Sequence, residues 1–364
     1  MICQVVQKTV MLGFNPPVNS NPFAFLDLAF KFAQVLVQKC LEYMNESCLF
    51  VLMSVVYDYT TYEGDANISR MAIGLLCTIA NYIPTLRSSD EKILELWLGV
   101  FNRLKKIGCD KRAEIRRNLF TVLESIINEN IEVLPSNIWD YILYKLFTHI
   151  LQHAETKYLE SVAVNKGTQA TITTSTNTVT PSFNALPLDP PVHRKNRFDE
   201  EGLRKEREET MRRYAEKEWE ESVVTTLSVF AQVFIKYNDA SFNESPVHEK
   251  TWSILLETYV RLIRCGTYSI VHEILKSIQK LSYSFHNTIE NRLEEIWNIF
   301  KEFTNWLRVD YQLKTYKQRP IGSKLSSTVV DALEAISKAI RHSFEPRMIE
   351  EICQLLSTVC LILI

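Results

Sequence analysis

Residues 109–127, CDKRAEIRRNLFTVLESII, decide how this chain is read. Ile115, Leu119, Val122, Leu123, Ile126 and Ile127 recur at spacings of three and four, so they share one face of an α-helix. Asp110 stands where it can cap that helix, accepting a backbone N–H that has no partner inside the first turn. Ile115 and Arg116 follow five and six positions later. That order suits the inner helix of a stacked helical repeat, because Asp and Arg of successive repeats can pair along the stack.

Working outward, a similar helix opens at Asp65, about 45 residues upstream of Asp110. Its stripe is Ile68, Met71, Ala72, Leu75, Leu76 and Ile79, and Pro84 ends it. The spacing is that of HEAT and armadillo repeats, so the expected fold is all-α: a HEAT/armadillo-type solenoid, or α-α superhelix. Other stripes follow the same period. Asn21-Pro22 places a cap before a helix carrying Leu26, Phe30, Ala33 and Val37. Ile93, Trp97, Phe101 and Leu104 form another, and Pro135 introduces Trp139, Ile142, Leu146 and Ile150. Trp97, Trp139, Trp252 and Trp297 all fall in apolar stripes and are expected in the core.

Composition agrees. Hydrophobic residues make up 46% of 364, enough for a sizeable core, and 9 Gly and 12 Pro are too few for a turn-rich β fold. A net charge of −2 supplies no global attraction to nucleic acid, and none is expected as a partner. The eight Cys include no CxxC pair, the pattern of reduced core thiols in a cytosolic protein. No apolar run approaches the roughly 18–20 residues of a spanning helix. Neither end carries a polar capping helix, so the chain reads as a segment of a longer protein.

Four regions are expected. Residues 1–156 form a first helical block. Residues 157–198 form a flexible linker, since TQATITTSTNTVTPS and PLDPPV bury too little apolar surface to offset the entropy of ordering. Residues 199–221 form a solvated, projecting helix laced with Glu–Arg and Glu–Lys pairs four apart. At Trp219 the apolar pattern resumes, and 222–364 form a second block.

Several stretches resemble the Mon-two family, large trafficking proteins related to the Sec-seven and BIG Arf exchange factors. Residues 65–83, DANISRMAIGLLCTIANYI, are similar to the family's Asn-Ile-Ser…Ala-Ile-Gly-Leu-Leu helix. Residues 96–121, LWLGVFNRLKKIGCDKRAEIRRNLFT, resemble its Leu-Trp-Leu helix and following Asp-x-Arg-x-x-Val-Arg repeat. The family's prolines there are Lys111 and Ala113, and its Val is Ile115. Residues 139–151 resemble its next helix, and 215–234, AEKEWEESVVTTLSVFAQVF, its Ala-Glu-Lys-x-Trp segment. Order and spacing agree over roughly 66–281. The resemblance implies the C-terminal HEAT-repeat region of a scaffold without an exchange domain. It implies peripheral location on Golgi, trans-Golgi and endosome membranes. It also implies partners of three kinds: a Dopey-type protein, a phospholipid flippase and an Arf-like GTPase. Asp65, Asp110, Ile115, Arg116 and Trp219 match the family as fold positions, so no binding residue carries over.

Chemistry-bearing constellations are sparse. His149 and His153 lie four apart with Glu155 near, but no third helical ligand suggests itself and the plain reading is a partly exposed helix face. Neither a phosphate-cradling Gly loop nor a GxSxG nucleophile motif occurs. No cofactor, metal site or catalytic residue is expected. Arg103, Lys105, Lys106, Lys111, Arg112, Arg116 and Arg117 outnumber Asp110 and Glu114 by five charges. If they share one rim, Arg103, Lys105, Lys106, Lys111 and Arg112 are the candidates for contact with anionic lipid or an acidic partner. The plainer reading of the run is a solvated rim with repeat-to-repeat salt bridges. A second basic stretch spans 308–324. The function expected is a non-catalytic scaffold in vesicle-mediated transport. The alternatives are the downstream helical region of an active Arf exchange factor and a karyopherin-like carrier.

Overall fold

A computed structural model describes residues 8, 22–174, 196–239, 246–285, 289–312, 322–339 and 346–363. The helices are α1 (Pro22–Lys39), α2 (Glu46–Thr60), α3 (Ala66–Tyr82), α4 (Asp90–Ile107), α5 (Ala113–Asn130) and α6 (Ser136–Asp140). A π-helical segment, Tyr141–Leu146, joins α6 to α7 (Phe147–Thr174). Then come α8 (Asn196–Asp239), α9 (Pro246–Cys265), α10 (Tyr268–Ser284), α11 (Leu293–Gln312), α12 (Gly322–Ala339) and α13 (Pro346–Leu363). No strand occurs among the described residues.

The helices form two layers. α3, α5, α8, α10 and α12 pack each on the next and make the inner layer. α2, α4, the α6–α7 run, α9, α11 and α13 make the outer one. The fold is therefore the helical-repeat solenoid that the stripes predict. One hydrophobic cluster runs from Leu26 to Val359 between the layers. Trp97, Trp139 and Trp252 are fully buried within it and Trp297 nearly so. Removing one such ring would cost about 3–5 kcal/mol. Met71 departs from its expected place: it is 46% exposed and faces out of α3.

Side chains measure the repeat. Asn118 Nδ2 donates to the Arg70 carbonyl, 48 residues back, and Asn81 Nδ2 donates to the Glu129 carboxylate at the same separation. The α3-to-α5 offset is thus 48 residues, where the two aspartates suggest 45. The reason lies in how the helices begin. Asp65 caps α3 through the N–H of Asn67 at 2.7 Å, as expected. Asp110 does not cap α5: the capping position is Arg112, with no side-chain cap bond, and the Asp110 carboxylate holds Arg112 instead.

The expected boundaries at 157, 199 and 222 fall within helices. α7 continues to Thr174, well past 157, and 199–221 are the first half of one 44-residue helix, α8. Residues 175–195, the rest of the Thr- and Pro-rich stretch, lie outside the described residues, as do Asn21 and 313–321 of the second basic stretch. α7 and α8 pack against each other as the outer and inner helices of a single repeat. Phe147 and Phe230 stack between them, 5.0 Å apart and nearly parallel. The insertion therefore sits inside one repeat, and the core is continuous past it.

The π-helical segment has a packing cause. Tyr141, Ile142 and Leu143 are consecutive and all buried, a wider apolar face than an α-helix presents. The wider turn, closed by Phe147 N–H to the Ile142 carbonyl, accommodates it.

Candidate functional site

The basic run begins at the end of α4 and crosses into α5. Arg103 lies between α2 and α4, donating to the Gly99 carbonyl at 2.8 Å and to Ser54 Oγ at 2.6 Å. Burial lowers its pKa from the ordinary value, opposed by the nearby Asp58 carboxylate. Lys105 and Lys106 lie over the rings of Tyr141 and Tyr57, at 5.4 and 5.7 Å from the centroids. Lys111 is exposed and pairs with Glu63 at 2.7 Å.

Arg112 is a latch between repeats. Its Nε and one N–H of Nη2 bond the Asp110 carboxylate at 3.0 and 2.8 Å. Nη1 donates to the Tyr62 carbonyl at 2.7 Å and to Ser69 Oγ at 3.0 Å, and Nη2 reaches the Thr60 carbonyl at 2.7 Å. All five donors of the guanidinium are used. These carbonyls belong to the C-terminal end of α2 and the turn after it, where helical C=O groups lack intrahelical partners. The hydrogen bond to Asp110 raises the pKa of Arg112 further.

Arg116 is the corresponding latch toward α8. It is 1% exposed. Its Nε donates to Ser222 Oγ at 2.8 Å, Nη1 to the Asp110 and Lys111 carbonyls at 2.7 and 2.9 Å, and Nη2 to the Glu218 carbonyl at 3.3 Å. The guanidinium lies 3.7 Å from the centroid of Trp219. Burial brings its pKa down to about 10, with the Glu218 and Asp110 charges opposing that shift. His153 of α7 meets the Trp219 ring edge-on at 5.7 Å. Arg117 pairs with Glu221 at 2.9 Å. Ile115, the remaining repeat position, is fully buried.

The run is closer to the plainer reading, a rim with repeat-to-repeat salt bridges, than to a continuous free basic surface. Arg103, Arg112 and Arg116 are turned inward onto carbonyls and hydroxyls, Lys111 and Arg117 are neutralised by Glu63 and Glu221, and Lys105 and Lys106 lie against tyrosines. Arg112, Arg116 and Arg117 fix how α5 sits against α2, α3 and α8, while Arg103 ties α4 to α2. The residues that complete these contacts, Ser69, Glu218 and Ser222, carry no local signal in the sequence. Ser222 is 106 residues from Arg116.

His149, His153 and Glu155 do not converge. His149 is exposed, His153 packs on Trp219, and buried Glu155 takes both Nε and Nη2 of Arg261 at 2.6 and 2.8 Å, tying α7 to α9. Among the described residues no group of three His, Cys, Asp or Glu is placed to hold a metal ion. No helix among them is long and apolar enough to cross a membrane.

No protein-family model matches the chain. Among curated proteins it is similar to the Protein MON2 homolog of Drosophila melanogaster, 23% identical over 314 residues, covering 77% of this chain and 16% of that protein. It is 22% identical to the Xenopus laevis Protein MON2 homolog over 298 residues, covering 72% and 15%. It is 23% identical to the human one over 162 residues, covering 36% and 9%. The chain thus spans less than a fifth of the length of these relatives. A solved engineered protein aligns with 97% of this chain and 78% of its own, at 12% identity and a TM-score of 0.23, too low to bear on the fold.

Proposed function

We propose, on the premise that this chain is Mon-two-like, that it is a non-catalytic helical scaffold in vesicle-mediated protein transport between endosomes and Golgi. The observation that carries the reading is the stack itself: inner helices held in register by Arg112 and Arg116, in a chain similar to the MON2 homologs over most of its length. Stacked repeats offer long surfaces to several partners at once. The conspicuous cations of 103–117 serve the stack, which fits a protein whose work is to hold a shape.

By the family resemblance, the partners are a Dopey-type protein, a phospholipid flippase and an Arf-like GTPase. The chain would act from the cytoplasm, peripheral on Golgi, trans-Golgi and endosome membranes and recruited there by those proteins. Nucleotide exchange on an Arf-type GTPase would not be its own activity. A fluorescently tagged chain expressed in cells tests the reading. It should concentrate on trans-Golgi and endosome membranes, and uniform staining of the cytosol would count against the assignment.

A further inference from the structure

A groove of about 450 Å³ opens on the outer layer between α4, the π-helical segment and α9. Leu94 and Leu98 supply an apolar wall, and Tyr144, 45% exposed, stands at its edge. Lys145 and Lys250 line it from different helices, and Lys105 lies beside it over the Tyr141 ring. Asp140 is the one carboxylate in the lining. Among the described residues none of these three lysines makes an ion pair. The neighbouring groove beside α9 and α11 differs: its Arg261 and Arg264 are each paired at 2.6 Å, with Glu155 and Glu302. The arginines of one groove are paired, whereas in the other Asp140 feels the charge of Lys250 and positive charge is left over.

We propose that the groove formed by Leu94, Leu98, Tyr144, Lys145 and Lys250 docks an acidic peptide segment bearing a large apolar or aromatic side chain. The apolar wall and Tyr144 take the side chain, and Lys145, Lys250 and Lys105 meet the flanking carboxylates. Three lysines against one aspartate leave the groove net positive, so complementarity selects an acidic occupant. The π-helical turn is what presents Tyr144 and Lys145 together while burying Tyr141, Ile142 and Leu143, and such turns recur at functional sites. The groove is recessed between helices, a shape that admits a side chain and keeps out a planar bilayer. This inference concerns the chemistry of one surface and holds whether or not the chain serves transport.

A random peptide library selected on the immobilised full chain tests it, with fluorescence anisotropy on the enriched peptides. Acidic sequences with a central aromatic or large aliphatic residue are expected, binding in a salt-sensitive way. Lys145→Glu with Lys250→Glu should weaken them about tenfold or more, since each reversal turns attraction into repulsion. Lys145→Gln with Lys250→Gln should fall between, and an unchanged far-UV circular dichroism spectrum would establish that both variants fold. No acidic enrichment, or peptides that bind the reversed variant equally well, would overturn the proposal. So would lysine-dependent flotation with phosphatidylserine vesicles in the absence of any peptide binding, which would assign the surface to lipid.

Discussion

Arg116 of α5 lies over the ring of Trp219 in α8, 3.7 Å from its centroid, and joins two inner helices whose residues are separated in sequence by a long insertion. The guanidinium is buried and the ring half-buried, a setting in which a desolvated cation on an indole face is worth about 2 kcal/mol. A double-mutant cycle of Arg116→Lys and Trp219→Leu, followed by urea unfolding, should give a coupling energy of about 2 kcal/mol. Lysine keeps the charge but not the fork onto Ser222 and the carbonyls of Asp110, Lys111 and Glu218. A coupling near zero would mean that the ring and the guanidinium act independently.

Arg112 allows a parallel test toward α2. Replacing it by Ala leaves the carbonyl of Thr60, a fully buried residue, without its side-chain donor, and leaves the Tyr62 carbonyl with Ser69 Oγ alone. The expected loss is about 2–4 kcal/mol by denaturant unfolding. Arg112→Lys should recover only part of it, since one ammonium cannot reach Asp110, Ser69 and both carbonyls. Full recovery by Lys would reduce the latch to simple charge pairing.

These two arginines also mark what the sequence made legible. The stripe Ile115, Leu119, Leu123 and Ile126 is a local property of periodicity, so the helix and its buried face could be read directly. The destination of a guanidinium is not local. Arg112 has the same neighbours in sequence whether it faces a lipid or Thr60, and Ser222 lies too far along the chain to be paired with Arg116 by any spacing rule. The packing across 157–198 was not legible for a related reason. A Thr- and Pro-rich composition reports where apolar pattern stops, but Phe147 and Phe230 meet across that break by tertiary packing. The groove at Tyr144 was hidden because a π-helical turn changes which residues share a face.

Acid should destabilise the fold. His153, His248 and His272 all have pKa values lowered from the ordinary 6.5, in each case first by burial, so the folded state resists protonation. Below about pH 6.5 the unfolded chain binds more protons than the folded one, so stability falls as pH drops through and below that value. His248 sits among Phe234, Trp252 and Phe285 with Nε2 unpartnered. His248→Phe should therefore make the unfolding midpoint less steep with pH over that range. An unchanged slope in this variant would remove His248 from the acid response.

The basic run predicts little for membranes on its own. With Arg103, Arg112 and Arg116 turned inward and Lys111 and Arg117 paired, Lys105 and Lys106 are left to act on an anionic surface. At about 1 kcal/mol each they cannot hold the chain there. Lys105→Glu with Lys106→Glu should therefore leave flotation with phosphatidylserine vesicles unchanged within error. Strong, salt-sensitive flotation lost in that double variant would restore the rim as a lipid contact.

The last prediction separates one solenoid from two blocks. If the blocks were independent, cutting between them would release two particles. In the structure α7 and α8 belong to one repeat and lie on opposite sides of the insertion. Phe147 stacks on Phe230, Trp139 lies against Tyr237 at 5.5 Å, Arg116 grips Ser222, and Glu155 forks onto Arg261. Each contact crosses the cut. A specific protease site introduced between residues 175 and 195 allows the chain to be nicked after folding. Burial of these aromatic rings alone amounts to several kcal/mol on each side, so the fragments should stay together. Size-exclusion chromatography should show one peak at the elution volume of the intact chain, with both fragments present on a denaturing gel. Elution as two separate smaller species in native buffer would mean that the inner layer does not hold across the insertion.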